Sequence, residues 1–388
     1  MAELSTILLS RRIKAFPLFP LILLLTFLVS GTLMSGLLFL LWIVIWPLSH
    51  FYYRQLSYYL IYPVWAQLVF LADWWAPSEV KMFTDAETER LIGKEHAVVV
   101  MNHGSSDLDW LIGWLVCERS SLLAATKVFA KRSLSHVPII GWIWRMAEII
   151  FLDRNWQTDR TCISTQIQKI SQYKNPVWIL LFPEGTRFTR AKHEQSLAFA
   201  KKAGLPQMKH LLTPRTKGFV QMIEAINESG STIRAIYDTT IAFEKTDHDP
   251  TLMNLIAGKP VKAQLKVTRI PIGDVPLEEE ACVNWMHDTF KRKDEVLTDF
   301  SREGSFAGRS FSLPRRYYTL INEIFWASLV VALFCYLCLK LTASSYFWVL
   351  PALIGCGSMA LRYLADVTVR SKSSSYGETS RRSAPPSS

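Results

Sequence analysis

Residues 97–110 have the sequence AVVVMNHGSSDLDW, in which an apolar run leads directly into a polar cluster. A short Val-rich run is typical of a buried strand. His103, Asp107 and Asp109 would then follow the carboxyl end of that strand, where open α/β sheets commonly place reactive residues. An imidazole can accept a proton near neutral pH, and a carboxylate can orient it. Alone, a His near an Asp is more often a surface or capping pair, so the rest of the chain must decide.

Apolar runs and helical patterns alternate between residues 76 and 300, and this alternation predicts an α/β domain with a mostly parallel sheet flanked by helices. The predicted strands are Ala97–Met101, Leu122–Lys127, Ile149–Leu152, Val177–Phe182, Ile233–Phe243 and Ala263–Ile270. The predicted helices between them are Trp110–Cys117, Thr158–Tyr173, His193–Ala203 and Gly218–Asn227. Leu277–Phe300 is predicted to be a charged amphipathic helix without active-site chemistry.

The composition indicates a membrane and an anionic partner. Half of the 388 residues are hydrophobic, and the chain contains 14 Trp, 13 Tyr and 21 Phe. Trp and Tyr in particular favour membrane interfaces. The net charge of +10 favours nucleic acid, anionic lipid or a phosphorylated small molecule as partner. The sequence shows no zinc-ligand spacing and no basic repeat typical of nucleic-acid binding. We therefore expect neither a metal nor nucleic acid.

The N-terminal part is predicted to anchor the chain in a bilayer. Ala15–Pro47 carries no charge, and as one helix it would be roughly 50 Å long, against a hydrocarbon core of about 30 Å. It must tilt, extend into the domain, or fold back near Gly31 to Gly36. We assign residues 1–48 to a permanent anchor, because a signal peptide has a shorter apolar core. The aromatic-rich residues 49–75 are either a core helix or an interfacial helix.

The C-terminal part is predicted to return to the membrane. Residues 301–318 are Gly/Ser-rich and are typical of a linker. Two apolar runs in residues 319–364 predict a transmembrane hairpin, and residues 365–388 predict a disordered tail. Arginines lie on both sides of this hairpin, which favours a cytosolic position for the domain and the tail.

Basic and polar residues recur at the ends of the predicted strands. Phe182-Pro183-Glu184-Gly185-Thr186-Arg187 offers a glycine turn, backbone N–H groups, a hydroxyl and a guanidinium, a combination that suits a phosphate. Asp153-Arg154, Arg215 with Lys217, and Lys127 stand at comparable positions. Each of these is ordinary alone, but together they predict an electropositive mouth at one edge of the sheet.

Four of these blocks occur in a fixed order: Asn102-His103 with a downstream Asp, Phe151-Leu152-Asp153-Arg154, Phe182-Pro183-Glu184-Gly185-Thr186-Arg187, and Pro214-Arg215-Thr216-Lys217-Gly218-Phe219. Together they resemble the motif blocks of the glycerophospholipid acyltransferases, above all the eukaryotic 1-acylglycerol-3-phosphate O-acyltransferases (lysophosphatidic acid acyltransferases) with C-terminal membrane segments. The resemblance extends from about residue 90 to residue 370.

The resemblance implies phospholipid biosynthesis by acyl transfer from acyl-CoA to the sn-2 hydroxyl of lysophosphatidic acid. It implies His103 as general base, a downstream Asp that orients it, and Glu184, Gly185, Thr186 and Arg187 as the residues that hold the glycerol phosphate. Arg154 and Lys127 are further candidates for the head group or the CoA phosphates, beside Arg215 and Lys217. No metal, covalent acyl-enzyme or cofactor beyond the co-substrate acyl-CoA is implied. The expected membrane is the endoplasmic reticulum, with the catalytic domain facing the cytosol.

One departure from the family pattern concerns the acid that pairs with His103. The family has four residues between His and Asp, whereas here Asp107 follows after three and Asp109 after five. On a continuous helix Asp107 would share the face of His103. If His103 lies on a loop near Gly104, Asp109 is favoured, because like the family's Asp it precedes an aromatic residue, Trp110. We predict Asp109 and keep Asp107 as the alternative.

Other functions stay open. A related acyltransferase could act on another lysophospholipid, such as lysocardiolipin, and the altered spacing could belong to an inactive lipid-binding homologue. A serine hydrolase using Ser105 or Ser106 is disfavoured, since the chain has no G-x-S-x-G elbow.

Overall fold

A computed structural model describes Lys14, Phe16, residues 18–104, 106–153 and 155–342, and Met359. The described residues form an eight-stranded sheet with the strand order β4-β3-β5-β2-β6-β7-β1-β8. The strands are β1 Glu79–Phe83, β2 Ala97–Met101, β3 Thr126–Lys131, β4 Ile150–Leu152, β5 Trp178–Leu181, β6 Ala235–Phe243, β7 Lys262–Pro271 and β8 Ser310–Phe311. All pairs from β4 to β6 are parallel, as is β7 with β1, whereas β6–β7 and β1–β8 are antiparallel. The predicted fold class, a mostly parallel α/β sheet, is confirmed.

The helices cover both faces of this sheet. They are α1 Leu18–Ile45, α2 His50–Phe70, α3 Ala86–Leu91, α4 Asp109–Arg119, α5 Ile140–Met146, α6 Trp156–Ile170, α7 Arg190–Ala203, α8 Lys217–Glu228, α9 Leu252–Ile256, α10 Glu279–Glu303 and α11 Tyr318–Thr342. A π-helical turn, Leu71–Trp75, follows α2, and 3-10 turns cover Leu123–Ala125, Arg132–His136 and Ile272–Asp274.

Strand β2 lies in the middle of the sheet and is buried along its whole length. Its side chains alternate between the faces: Ala97, Val99 and Met101 belong to a core shared with α4 and α2, and Val98 and Val100 to a core shared with α6, α8 and α10. Parallel strands that are buried on both faces have continuous apolar sequences, which explains the Val run. His103 therefore leaves the sheet at its centre, at the carboxyl edge.

Helices α1 and α11 are long and apolar enough to cross a membrane. Helix α1 is continuous through Gly31 and Gly36, so the predicted option of a fold-back at these glycines is wrong. The residues around the two glycines are apolar and contain no turn-forming sequence, so the helix continues through them. Gly31 lets the domain approach closely, since a Cβ atom there would lie 2.5 Å from Cγ2 of Ile139. Ile139 itself has a left-handed backbone, with φ of 64°.

Helix α2 packs on α1, on α11 and on the sheet face that carries α4. Its residues Tyr53, Val64 and Trp65 are part of the core that contains β2. Of the two alternatives for residues 49–75, a core helix rather than an interfacial helix therefore describes α2. The predicted domain boundary at residue 75 runs through this shared core. Within the predicted linker, Ser310–Phe311 pair with β1. The second apolar run of the predicted C-terminal hairpin, Tyr346–Leu361, lies outside the described residues apart from Met359.

The far end of α4 is tied to the π-helical turn after α2 and to the segment before α11. Nη2 of Arg119 lies 2.7 Å from Oδ1 of the buried Asp73, in the π-helical turn. Nη1 of Arg316 donates a hydrogen bond of 2.7 Å to the carbonyl oxygen of Glu118. Arg315 also contacts Asp73, at 3.2 Å. The helix that begins with Asp109 is thus fixed at both ends.

Candidate active site

The loop between β2 and α4 positions His103. Asn102, just after β2, bonds to the backbone of β6 with its side chain: its Nδ2 donates to the Ile241 carbonyl at 3.1 Å, and its Oδ1 accepts from the Ile241 N–H at 2.8 Å. The side-chain amide thus replaces one step of the sheet ladder and fixes the point at which the chain turns away. His103 lies on a loop rather than on a helix, and the loop absorbs the additional residue before Asp109, the first residue of α4.

The imidazole of His103 is held by a buried carboxylate. Its Nδ1 lies 2.8 Å from Oδ2 of Asp109, which is fully buried. Burial raises the pKa of Asp109, and the hydrogen bond with His103 opposes that shift. The Phe182 ring stacks on the imidazole with a centroid distance of 4.5 Å. Because Nδ1 is engaged, Nε2, on the opposite side of the ring, is the nitrogen available to a substrate.

Asp107, the alternative partner, points elsewhere. Its Oδ1 pairs with Nη1 of Arg187, while Asp109 contacts His103. The two aspartates left open by the sequence thus have different partners, and the loop conformation rather than the residue spacing separates them.

Glu184 is buried and fixes the backbone of the His103 loop. Its side chain is 2% exposed; Oε1 accepts a hydrogen bond of 2.6 Å from the His103 N–H, and Oε2 accepts one of 3.0 Å from the Leu212 N–H. Burial raises the pKa of Glu184 to about 8, although both N–H groups act in the opposite direction. The prediction that Glu184 contacts the glycerol phosphate is corrected: both of its oxygens are occupied by backbone and shielded from solvent, so Glu184 is a positioning residue.

Beside the imidazole, Arg187, Lys192 and Arg215 form a basic surface around the turn at Gly185. Gly185 has a left-handed backbone with φ of 67°, and a Cβ atom there would lie 3.3 Å from Cδ of Arg215. Thr186 accepts a hydrogen bond of 2.6 Å from Nζ of Lys192, on α7. The N–H of Phe188 donates to the carbonyl oxygens of His103 and Gly104, both at 3.3 Å, which joins the two loops.

Lys192 was not identified from the sequence. It is the third residue of α7, and Thr189, the residue before the helix, accepts a hydrogen bond from the Lys192 N–H. The Thr cap after Arg187 was a signal that could have placed the first turn of α7, and with it Lys192, at this edge.

Lys127 lies at the wrong edge of the sheet for the predicted role. The prediction ended a strand at Lys127, but Leu123–Ala125 form a 3-10 turn and β3 begins at Thr126. Lys127 is in register with Ile179 of β5, which pairs with Val98 near the amino end of β2. Its buried Nζ donates to the Ala147 carbonyl. Lys127 thus lies at the edge of the sheet opposite His103, so its predicted place in the electropositive mouth is wrong.

Two other predicted residues have different outcomes. Nζ of Lys217, at the start of α8, lies 6.0 Å from the centre of the Trp156 ring, at the start of α6. Arg154 lies outside the described residues, and its neighbour Asp153 pairs with Arg132. Lys217 is therefore at the carboxyl edge but beside the β4–α6 loop, on the flank of the basic surface.

Helix α10 contributes two residues that the sequence did not indicate. Nζ of the buried Lys293 lies 2.5 Å from Oδ1 of Asp238 and donates to the Thr239 carbonyl at 2.6 Å, beneath the site. Asp294 accepts hydrogen bonds from the N–H groups of Lys209 and His210 at 2.8 and 2.7 Å. Together with Glu184, α10 thus fixes the loop that leads to Arg215.

Of the two serines weighed as nucleophiles, Ser105 lies outside the described residues. Ser106 is buried; its Oγ donates to the Pro250 carbonyl and accepts from the Leu108 N–H, both at 2.9 Å. Ser106 therefore stabilises the loop. Across the described ranges, no group of three or more His, Cys, Asp or Glu side chains is arranged to hold a metal ion.

The chain is similar to a family of acyltransferases along most of its length. Residues 83–244 match the family model described as "Acyltransferase", and residues 254–326 match "Acyltransferase C-terminus". The 1-acyl-sn-glycerol-3-phosphate acyltransferase gamma of Homo sapiens is 38% identical over 354 residues, which is 90% of this chain and 93% of the relative. The corresponding delta protein of Homo sapiens is 36% identical over 356 residues, 91% of this chain and 93% of the relative. The crystal structure of the 1-acyl-sn-glycerophosphate (LPA) acyltransferase from Thermotoga maritima is similar with a TM-score of 0.39 and 16% identity, over 70% of this chain and 97% of that chain.

Proposed function

The chain belongs to the family of the 1-acyl-sn-glycerol-3-phosphate acyltransferases, and from this premise we propose that it transfers a fatty acyl group from acyl-CoA to the sn-2 hydroxyl of lysophosphatidic acid. The products are phosphatidic acid and CoA. The observation that carries the proposal is the 2.8 Å contact between His103 and the buried Asp109, beside a basic surface at the carboxyl edge of the sheet.

In the proposed reaction, Nε2 of His103 accepts the proton of the sn-2 hydroxyl while the hydroxyl oxygen attacks the thioester carbonyl carbon. The tetrahedral intermediate collapses, the carbon–sulfur bond breaks, and the thiolate of CoA takes the proton back from the imidazolium. Asp109 holds the ring in the required tautomer and stabilises its positive charge. General-base assistance of this kind contributes about 10²–10⁴ to the rate.

The basic surface supports the choice of a phosphate-bearing acceptor. Arg187 and Arg215 flank the exposed Gly185 turn, and Lys192 lies beside Thr186. A phosphate monoester carries up to two negative charges and several acceptor oxygens, which guanidinium groups bind in pairs. Arg187 already pairs with Asp107, so an incoming phosphate would share or replace that carboxylate.

The altered His–Asp spacing raised the alternative of an inactive homologue. The two side chains are within hydrogen-bonding distance despite the additional residue, which supports the enzyme instead. Helices α1 and α11 and the basic pair Arg315–Arg316 before α11 support residence in a membrane with the catalytic domain on the cytosolic side. We propose the endoplasmic reticulum as that membrane, as the family resemblance implies.

The decisive experiment gives the purified full-length protein oleoyl-CoA and lysophosphatidic acid in detergent and follows the release of CoA. His103→Ala serves as the inactive control. Lysocardiolipin and other lysophospholipids, offered in parallel, distinguish a different acceptor from the proposed one. A wild-type protein that releases no CoA with any of these acceptors would contradict the proposal.

A further inference from the structure

A polar cavity lies at the amino edge of the sheet, opposite the edge that carries His103. It has a volume of about 350 Å³ and is bounded by α2, the turn after α4, the start of β3 and the segment before β4. This volume is at the lower end of the range for small-molecule sites, about 300–1,000 Å³. Its lining includes Arg54, Lys127 and Glu148, and the well exposed Tyr59 brings it to the surface. The reaction proposed above uses none of these residues.

The charges of this cavity are buried and do not cancel. Nε and Nη2 of Arg54 bind the two oxygens of Glu148 at 2.8 and 2.9 Å, and Tyr173 donates to the same carboxylate. Burial would raise the pKa of Glu148, but these hydrogen bonds and the nearby Lys127 lower it to about 2, so Glu148 is ionised. With Arg54 neutralised, the ammonium of Lys127 leaves the cluster with one positive charge in excess.

Lys127 has donor capacity beyond its present partners. An ammonium group has three N–H donors. Among the described residues, the Ala147 carbonyl accepts one hydrogen bond from Nζ, and Nζ also lies 4.9 Å from the centre of the Tyr173 ring. Its side chain is 4% exposed, and burying an ammonium with so few acceptors costs several kcal/mol. An apolar side chain would fill the same position at lower cost, so packing does not explain the lysine.

The backbone around the cavity is also strained. Ser121 and Glu148 have left-handed φ values of 65° and 55°, and both line the cavity. For residues other than glycine this conformation costs about 1–2 kcal/mol. Such strain concentrates at ligand sites, where the surrounding structure enforces it. Here Tyr58 donates to the Ser121 carbonyl at 3.3 Å, and Arg54 holds Glu148.

We propose that this cavity binds a phosphate group, with Lys127 as its principal contact. The second contact is Arg54, whose Nη1 and Nη2 each keep one N–H group beyond their bonds to Gln172 and Glu148. The phosphate is carried either by the head group of a membrane lipid, since α2 packs on the apolar α1, or by a small soluble molecule, since the exposed Tyr59 lies at the cavity. The site is separate from His103, since it opens at the amino ends of β3 and β4 while His103 follows the carboxyl end of β2. The proposal does not depend on the acyl transfer reaction.

The first test measures the melting temperature of the full-length protein in uncharged detergent as inorganic sulfate, a non-titrating substitute for phosphate, is added at constant ionic strength. We expect a saturable rise for the wild type and an affinity lower by about tenfold or more in Lys127→Met, which loses the charge and keeps the bulk. Lys174→Met is the matched control, because Lys174 is exposed and near the cavity but does not line it. Equal shifts in the wild type and in Lys127→Met would overturn the proposal.

A second measurement needs only the wild type. Burial lowers the pKa of Lys127 to about 8, whereas the other groups that face it keep their charge: Glu148 stays ionised, Arg54 stays protonated, and burial holds the pKa values of Tyr173 and Tyr58 above their usual range. Sulfate should therefore stabilise the protein at about pH 7 and lose most of this effect by about pH 9.5. An effect that is constant across this range would contradict the proposal.

Whether an anionic lipid head group carries the phosphate is tested in nanodiscs of phosphatidylcholine, whose phosphate is balanced by the choline cation, with and without phosphatidylglycerol. If a lipid head group is the occupant, anionic discs raise the melting temperature of the wild type but not of Lys127→Met, and they abolish the sulfate effect. If a soluble molecule is the occupant, the sulfate effect persists in both kinds of disc.

Discussion

The carboxyl group of Glu184 binds the backbone of His103, not its imidazole, through a hydrogen bond of 2.6 Å from the His103 N–H. The second oxygen of the same carboxyl group binds the Leu212 N–H. One buried side chain therefore joins the loop that carries the base to the loop that leads to Arg215. The base and the basic surface are aligned by a group that touches neither substrate in the proposed reaction.

Glu184→Gln should reduce kcat without a comparable change in KM for lysophosphatidic acid. The amide NH2 cannot accept from one of the two backbone N–H groups, so the His103 loop shifts; a misplacement of about 1 Å can cost about 10²-fold in rate. CoA release under saturating acyl-CoA measures both constants. Glu194→Gln, on the exposed side of α7, is the matched control and should behave as wild type. A raised KM for lysophosphatidic acid with an unchanged kcat would show instead that Glu184 acts in substrate binding.

The ionisation of Glu184 should also make stability depend on pH. The pKa of Glu184 in the folded protein is about 8, above the usual glutamate value of 4.5, so the folded state retains this proton more tightly than the unfolded chain. Its contribution is complete below about pH 4.5 and is lost as pH rises through about 8, at about 1.4 kcal/mol per unit of pH between these values. The stability of the wild type relative to Glu184→Gln, which does not titrate, should therefore fall from about pH 5 to about pH 8. A difference that grows over this interval would show a lowered pKa.

Asp109→Asn and Asp107→Asn should affect different constants. Asp109→Asn removes the charge that orients the imidazole and should lower kcat by about 10²–10⁴. Asp107→Asn releases Arg187 and should leave kcat within a few-fold of wild type. Initial rates of CoA release at varied lysophosphatidic acid separate the two. If Asp107→Asn alone abolished turnover, the partner of His103 would have to be reassigned.

Arg187→Gln and Lys192→Met should mainly raise KM for the phosphate-bearing acceptor, because they remove charge from the basic surface beside Gly185. An increase of about tenfold corresponds to the loss of roughly 1.4 kcal/mol of binding. Arg190→Gln is the control: it removes the same charge three residues away, from a side chain that is 94% exposed and pairs with Glu194 on its own helix. Equal effects of Arg187→Gln and Arg190→Gln would indicate general electrostatics rather than a built site.

Gly31→Ala should loosen the contact between α1 and the catalytic domain. The added Cβ would lie 2.5 Å from Cγ2 of Ile139, which is buried and cannot yield without moving its left-handed backbone. We expect a loss of about 1–3 kcal/mol, seen as a lower melting temperature in detergent. Gly36→Ala, in the same helix with nothing within 4 Å of the added atom, should be neutral or stabilising. Adding Ile139→Ala to Gly31→Ala should restore part of the loss.

The sequence predicted the fold class and the strand that carries His103 because these depend on local patterns. The Val run of β2 is buried on both faces, and the apolar run of β5 is buried at Trp178 and Ile179. The ends of these two parallel strands place His103 and Arg187 at one edge. The acid partner could not be decided by spacing, since a loop conformation, not a helix, separates His103 from Asp109.

Errors arose where a small local shift has a large spatial effect. Moving the start of β3 from Leu122 to Thr126 transfers Lys127 from the carboxyl to the amino edge of the sheet. Lys293 was missed for another reason: its Thr239 and Asp238 contacts lie far away in sequence, and no local pattern reports them.

The attachment of α4 at both ends has a consequence for truncation. A protease or an alternative transcript that removed the chain after α10 would take away Arg315 and Arg316, and the buried Asp73 and Glu118 would lose cationic neighbours. The disturbance would be transmitted along one short rigid helix to Asp109 at its other end. A soluble fragment limited to residues 76–300 would in addition expose the surface that α2 covers. Helices α1 and α11, the two candidate membrane spans, therefore pack into one unit with the catalytic domain, and losing the segment that begins at Arg315 should lower activity even while α1 remains in the chain.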